Sequence, residues 1–205
     1  YLPLFAVLIL ASASKARHQL LEQAHVPHQV IVSGVNEEFI TKLNPKELVL
    51  HLAKAKASAV SEKLDLDSTN CLTIQKETHI LCCDSLFEFE GEIFGKPKNE
   101  EEAIMRLKRM SSKNGILHTG HSLIFRSSSK PNTENTRLVS SVNSVISTVV
   151  HFDELLEEEI IKYVSSGEPM ECAGCFALEG QGGMLIKRIE GCFSNVIGLS
   201  LPWLR

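Results

Sequence analysis

His79-Ile80-Leu81-Cys82-Cys83-Asp84-Ser85 is an apolar run that ends in a carboxylate and a hydroxyl. A continuous apolar run of this length reads as a strand covered on both faces, and small thiols at Cys82 and Cys83 suit such a place. The strand is expected over His79 to Cys83, with Asp84 and Ser85 just past its end. In α/β folds ligands gather at the C-terminal ends of strands. There Asp84 can hold Mg²⁺ and orient water, or accept that water's proton. It can equally cap the following turn, and the local pattern does not choose between these roles.

Upstream, Phe5 to Leu10 reads as a first buried strand. The apolar run Tyr1 to Leu10 lacks the basic start of a signal peptide and is too short to span a bilayer, although Ala11-Ser12-Ala13 resembles a cleavage site. Ser14 is placed to cap a helix with Leu20, Leu21 and Ala24 inward. Val30 to Val32 follows as a strand. Asn44-Pro45-Lys46-Glu47 combines three helix-start signals, and Leu48, Leu52, Ala55 and Ala59 form a stripe that Lys56 borders. Asp65 to Asn70 reads as a polar loop.

Downstream, Gly91 to Pro97 is turn-rich. Asn99 caps a helix through Met110 with Ala103, Leu107 and Met110 inward. A strand or hairpin over Gly115 to Phe125 precedes a flexible polar loop at 126–141. Val142 to Phe152 is a strand, Asp153 opens an acidic helix that ends near Ser165, and Met184 to Ile189 is a strand. Helices and strands alternate early and strands dominate late. The expectation is an α/β fold with a mixed, largely buried sheet flanked by helices, over 1–205 as a single domain.

The 205 residues include 43% hydrophobic and 22% charged side chains and carry a net charge of −4, as an ordinary folded chain does. Without a basic excess, a broad nucleic-acid surface is excluded, and any polyanion must meet a local cluster of cations. Cys71, Cys82, Cys83, Cys172, Cys175 and Cys192 are expected as reduced cytoplasmic thiols. Cys172-Ala173-Gly174-Cys175 lacks the second pair that a zinc site needs, and redox use would need an electropositive setting.

Four further constellations bear on chemistry. Ser12-Ala13-Ser14-Lys15-Ala16-Arg17 joins a strand to a helix start, where free N–H groups, hydroxyls and two cations favour an anion. It lacks the glycines of a phosphate-binding Walker loop, and a plain capped helix explains the same pattern. Gly95-Lys96-Pro97 fixes a turn that aims Lys96. Glu37-Glu38 can supply a second metal ligand or simply be solvated. His118 and His121 point to opposite faces of a strand and are read as structural or surface residues.

Several motifs then occur in order: Leu10-Ala11-Ser12-Ala13-Ser14-Lys15-Ala16-Arg17, Cys83-Asp84-Ser85, Gly95-Lys96-Pro97, His118-Thr119-Gly120, Gly167-Glu168-Pro169, Ala173-Gly174, Glu179-Gly180-Gln181-Gly182-Gly183, Ile189-Glu190-Gly191 and Ser194-Asn195-Val196-Ile197-Gly198-Leu199. The set resembles the Maf family of nucleoside triphosphate pyrophosphatases, from the first strand to the end. The tail is most similar to the cyanobacterial branch.

The resemblance implies hydrolysis of a nucleoside triphosphate to the monophosphate and pyrophosphate with a divalent metal, Mg²⁺ or Mn²⁺. It implies a cytoplasmic house-cleaning enzyme of inosine-triphosphatase-like fold, with two lobes and a cleft, often a homodimer, and no membrane partner. It assigns Asp84 as proton acceptor, with Glu37 and Asp84 at the metal. Ser12, Ser14, Arg17, Lys56 and Lys96 go to the phosphates, and Ala16, Ser85 and Glu179 to base specificity. The chain departs from the family at Asn36, where many relatives have Asp, and at Glu171-Cys172, where many have Asp-Lys. Ala16, Ser85 and Glu179 leave both the dTTP/UTP and the 7-methyl-GTP patterns incomplete. A non-catalytic nucleotide-binding regulator linked to cell division is the alternative.

Overall fold

The computed structural model describes residues 7–35, 44–66, 77–127 and 138–205. The chain divides into two compact units, Tyr1–Asp84 with Gly120–Val145 and Arg205, and Ser85–Thr119 with Ile146–Leu204.

In the first unit, β1 (Val7–Leu10) lies parallel to both β2 (His28–Val30) and β3 (Thr78–Phe89), with Ile9 beside Ile80 and Leu10 beside Leu81. Leu8, Ile9 and Leu10 are buried, as a strand covered on both faces requires. Two helices follow from their caps. Ser14 accepts the Arg17 N–H at the start of α1 (Lys15–Gln23). Asn44 and Glu47 accept each other's backbone N–H at 3.0 and 3.3 Å at the start of α2 (Pro45–Leu66). Ala57 and Val60 of α2 pack with Ile9, Ala11, Ile80, Cys82 and Ile124 into the unit's core. Gly120 of β5 (Asn114–Ser127) lets α2 come close, because a Cβ there would lie 2.2 Å from the Val49 carbonyl oxygen.

In the second unit, the end of β3 turns through Glu90 and Gly91 into the antiparallel β4 (Glu92–Phe94). Then α3 (Glu100–Met110) buries Ala103, Leu107 and Met110 behind the Asn99 cap. The later part of β6 (Leu138–Phe152) pairs antiparallel with β7 (Ile186–Glu190). The remaining helices are α4 (Glu157–Ser165), α5 (Phe193–Ile197) and α6 (Leu201–Leu204). Between α4 and β7 run the short 3₁₀ turns Glu168–Glu171, Ala173–Cys175 and Gln181–Leu185. Phe87, Phe152 and Phe176 meet edge to face at the core, with ring centroids 5.3–6.0 Å apart. The strands hydrogen-bond in the order β2-β1-β3-β5-β6-β7, with β4 on β3. The mixed α/β expectation therefore holds. No helix among the described residues is long and apolar enough to cross a membrane.

Several expectations need correction. Asp84 is not past the end of a strand but inside β3, because buried Phe87 and Phe89 alternate with half-buried Leu86 and Glu88 and carry the strand onward. The buried stripe of α2 is Val49, Leu52, Ala53, Ala57 and Val60, which rotates the helix and puts Lys56 within the stripe. Ala24 is the exposed C-cap of α1. Register with β1 ends β2 at Val30, opposite Leu10, two residues earlier than expected. Asp65 and Leu66 belong to α2, and the rest of the polar loop expected to Asn70 lies outside the described residues. Of the two forms expected for Gly115 to Phe125, the strand holds, as part of β5. Within the 126–141 loop, Arg126 is a buried strand residue that donates to the Ser61 carbonyl at 2.9 Å and to Asp65, and β6 already begins at Leu138. Met184 and Leu185 belong to a 3₁₀ turn, so β7 starts at Ile186.

Candidate active site

The first unit gathers the Ser12–Arg17 loop and a buried ion pair. Leu10 pairs with Leu81, and the Ala11 N–H donates to the Leu81 carbonyl at 2.8 Å, so the loop after β1 starts beside the stretch leading to Asp84. In this loop Ser12 Oγ accepts from the Ser14 N–H at 3.2 Å and from Arg17 Nη1 at 3.1 Å. Ser14 Oγ accepts the Arg17 N–H at 3.4 Å. These bonds fold the hydroxyls and the guanidinium onto the α1 N-terminus, where anions are favoured. Ala16 is half-buried in the first turn of α1.

Lys56 reaches from α2 to the Asp84 carboxylate and donates a hydrogen bond within an ion pair. Their side chains are 13% and 9% exposed, so water screens the pair little. The neighbouring thiols report the same surroundings. Burial pushes Cys82 up to about 11, against the pull of Arg17 and Lys56 and with Asp84 adding to the rise. Burial also drives Cys83 strongly upward. Both thiols stay protonated, so neither is a nucleophile.

The second unit holds the other candidates. Ser85 Oγ is 3.0 Å from Thr119 Oγ1, which donates to the Asn195 carbonyl at 3.3 Å. Lys96 pairs with Glu171 at 2.7 Å in an exposed contact. Glu171 thus keeps a carboxylate in the stretch where the sequence departs from Asp-Lys. Glu179 lies exposed on the Ala177–Gly183 segment, yet burial of its carboxyl group raises it above the usual carboxylate range, with the Glu168 carboxylate adding to the rise. Glu37 lies outside the described residues, as do Asn36 and Glu38.

His118 is buried between Ser147 at 2.7 Å and Glu88 at 3.0 Å, and His121 is buried, so neither is a surface residue. Burial, with Glu179 and Glu168 adding to it, pushes Cys172 up to about 12, and burial pushes Cys175 up to about 11. That setting is the opposite of what thiolate chemistry needs. Among the described residues no group of three or more His, Cys, Asp or Glu could hold a metal ion. Sequence reasoning missed Thr119, the partner of Ser85. It lay inside His118-Thr119-Gly120, where only the histidines drew notice.

The family model described as "Maf: Maf-like protein" matches residues 7–205. A Prochlorococcus marinus protein is 52% identical over 200 residues, covering 97% of this chain and 94% of its own length. A Parasynechococcus marenigrum protein is 53% identical over 199 residues, covering 97% and 93%. Both carry the name nucleoside triphosphate pyrophosphatase, and both come from the cyanobacterial branch that the tail resembles. Among solved structures, the Staphylococcus aureus Ham1 protein matches at a TM-score of 0.35 and 16% identity over 74% of this chain and 72% of that one, too distant to bear on the fold. From its match to the family model and its identity with these relatives, the chain belongs to the Maf-like protein family.

Proposed function

We propose that this chain hydrolyses a nucleoside triphosphate to the nucleoside monophosphate and pyrophosphate. The observation that carries the reading is the Lys56–Asp84 pair in the same unit as the Ser12–Arg17 loop, in a chain about half identical to proteins named for that reaction. Water attacks the α-phosphorus, the α–β bridging bond breaks, and the pair of electrons leaves with pyrophosphate. Asp84 accepts the proton of the attacking water. Lys56, paired with that carboxylate, also serves the phosphates. Ser12, Ser14 and Arg17, with the α1 N-terminus, bind phosphate oxygens and meet the charge that builds on the leaving group. The resemblance assigns Lys96 to the phosphates as well. Ala16, Ser85 and Glu179 select the base.

Mg²⁺ or Mn²⁺ is the cofactor the resemblance implies, and a carboxylate such as Asp84 suits a hard cation. Hard cations of this kind need only one or two carboxylates when triphosphate oxygens complete the shell. Asp84 and Glu37 would hold it, and it would supply charge neutralisation and a more acidic water. This chain works in the cytoplasm as a homodimer and clears modified or non-canonical nucleotides.

The test is pyrophosphate release from a panel of nucleoside triphosphates with each metal. Wild-type turnover that falls about 10²–10⁴-fold in Asp84→Asn supports the reading. Turnover unchanged in that variant removes Asp84 from the reaction, and no turnover on any substrate refutes the activity.

A further inference from the structure

Two motifs separate in sequence, Gly167-Glu168-Pro169 and Glu179-Gly180-Gln181-Gly182, form one device in the second unit. The Glu168 carboxylate accepts from Tyr163 Oη at 2.8 Å, from the Gln181 N–H at 3.0 Å and from the Gly182 N–H at 2.9 Å. Tyr163 Oη in turn accepts the Ala177 N–H at 3.2 Å. The segment from Ala177 to Gly182 is thereby pinned at both ends, with Glu179 between the pins.

The fit leaves no room for side chains. A Cβ on Gly180 would lie 2.3 Å from a Glu168 oxygen, and one on Gly182 would lie 2.4 Å from Tyr163 Oη. Charge-assisted bonds to two consecutive N–H groups are strong and directional. An isosteric amide cannot replace them, since its NH₂ end would face an N–H donor.

We propose that Glu168 is a positioning residue for base selection: with Tyr163 it sets where Glu179 stands. The inference rests on Glu179 meeting the base, as proposed above. The nearby Glu168 carboxylate also adds to the upward shift of Glu179, so the two carboxyl groups are coupled electrostatically as well as through the backbone.

The experiment is a double-mutant cycle on Glu168→Gln and Glu179→Gln. It reads the ratio of dissociation constants for α,β-methylene triphosphates that differ only in base, so it does not depend on turnover. The wild-type chain discriminates among bases, and each single substitution reduces the ratio about tenfold. The double substitution reduces it no further, because one acts through the other. Glu168→Asp and Tyr163→Phe, judged for folding by circular dichroism, give partial losses and keep the test open if Glu168→Gln does not fold. Additive losses in the cycle, an unchanged ratio in the folded Glu168 variants, or a wild-type chain that binds all bases equally would each overturn the proposal. Selective binding of the analogues with no pyrophosphate release from the corresponding natural triphosphates would leave the clamp standing and remove the pyrophosphatase reading instead.

Discussion

Lys56, one turn beyond Leu52 on α2, pairs with Asp84 in the interior of β3, and both side chains are nearly withdrawn from water. A pair so placed has paid its desolvation cost, and removing one partner leaves a charge without compensation. Lys56→Met is therefore expected to lower stability by about 3 kcal/mol and to reduce turnover together with it. Urea unfolding and pyrophosphate release check both. Stability within error of wild type would show that water reaches Asp84 once the lysine is gone.

Gly120 gives a second test of how this pair is held. The Cβ of Gly120→Ala would meet the backbone of Val49 and Leu50 on α2, which carries Lys56, and backbone cannot swing aside as a flexible side chain does. Overpacking of this kind costs about 1–3 kcal/mol. In a chain of this size that lowers the melting temperature by several degrees, at roughly 2–4 °C per kcal/mol. The same shift of α2 is expected to reduce kcat. A melting temperature and kcat both equal to wild type would mean that the helix moves freely over β5.

The elements that could be read from sequence were those with redundant local signals. Asn99 and the spacing of Ala103, Leu107 and Met110 agree on α3, and Asn44 with Glu47 agree on the start of α2. The cap of α1 at Ser14 was legible because a helix cap is a local event. The place of Asp84 was not, since the continuous apolar run before it carries no period to mark where the strand ends. The face of α2 was ambiguous because Ala53, Ala55, Ala57 and Ala59 put small apolar residues on more than one side. Neither Ser85–Thr119 nor Glu168–Gln181 could be seen, because both depend on residues brought together only by the tertiary fold. The roles of Lys96 and Glu179 came from resemblance, not from spacing.

The cysteines divide by environment. Burial, and then the Glu179 and Glu168 carboxylates, hold Cys172 at about 12, so little of it is thiolate near neutral pH. At Cys192 burial pushes upward, but hydrogen bonds with Ser194 and Ser200 outweigh it and bring the thiol below its ordinary value. A thiol-directed reagent at pH 8, followed by peptide mapping, is expected to label Cys192 well before Cys172. Cys172→Ser is expected to keep turnover within about twofold, as substitutions away from special features do. Faster labelling of Cys172, or loss of activity in the serine variant, would return that thiol to the chemistry.

The turn between β3 and β4 is expected to respond to acid. Arg109 donates to Glu90 at 3.2 Å and to Glu92 at 2.8 Å, and Lys113 donates to Glu90 at 2.7 Å. The Lys113 bond first, and then Arg109, hold Glu90 below the usual carboxylate range, and the Arg109 bond does the same for Glu92. An acid with a depressed folded-state value contributes stability above its unfolded-state value and loses it as pH falls through the folded one. The contribution is thus complete at neutral pH and fades below the ordinary carboxylate value of about 4.3. The groups are exposed, so the effect is small and salt-sensitive. Arg109 also stacks on Phe94 at 5.3 Å, and Arg109→Gln therefore lowers stability at every pH. The diagnostic is the slope: melting temperatures taken from pH 7 into acid are expected to fall less steeply in Arg109→Gln than in wild type. Parallel curves would show that these ion pairs do not couple folding to protonation.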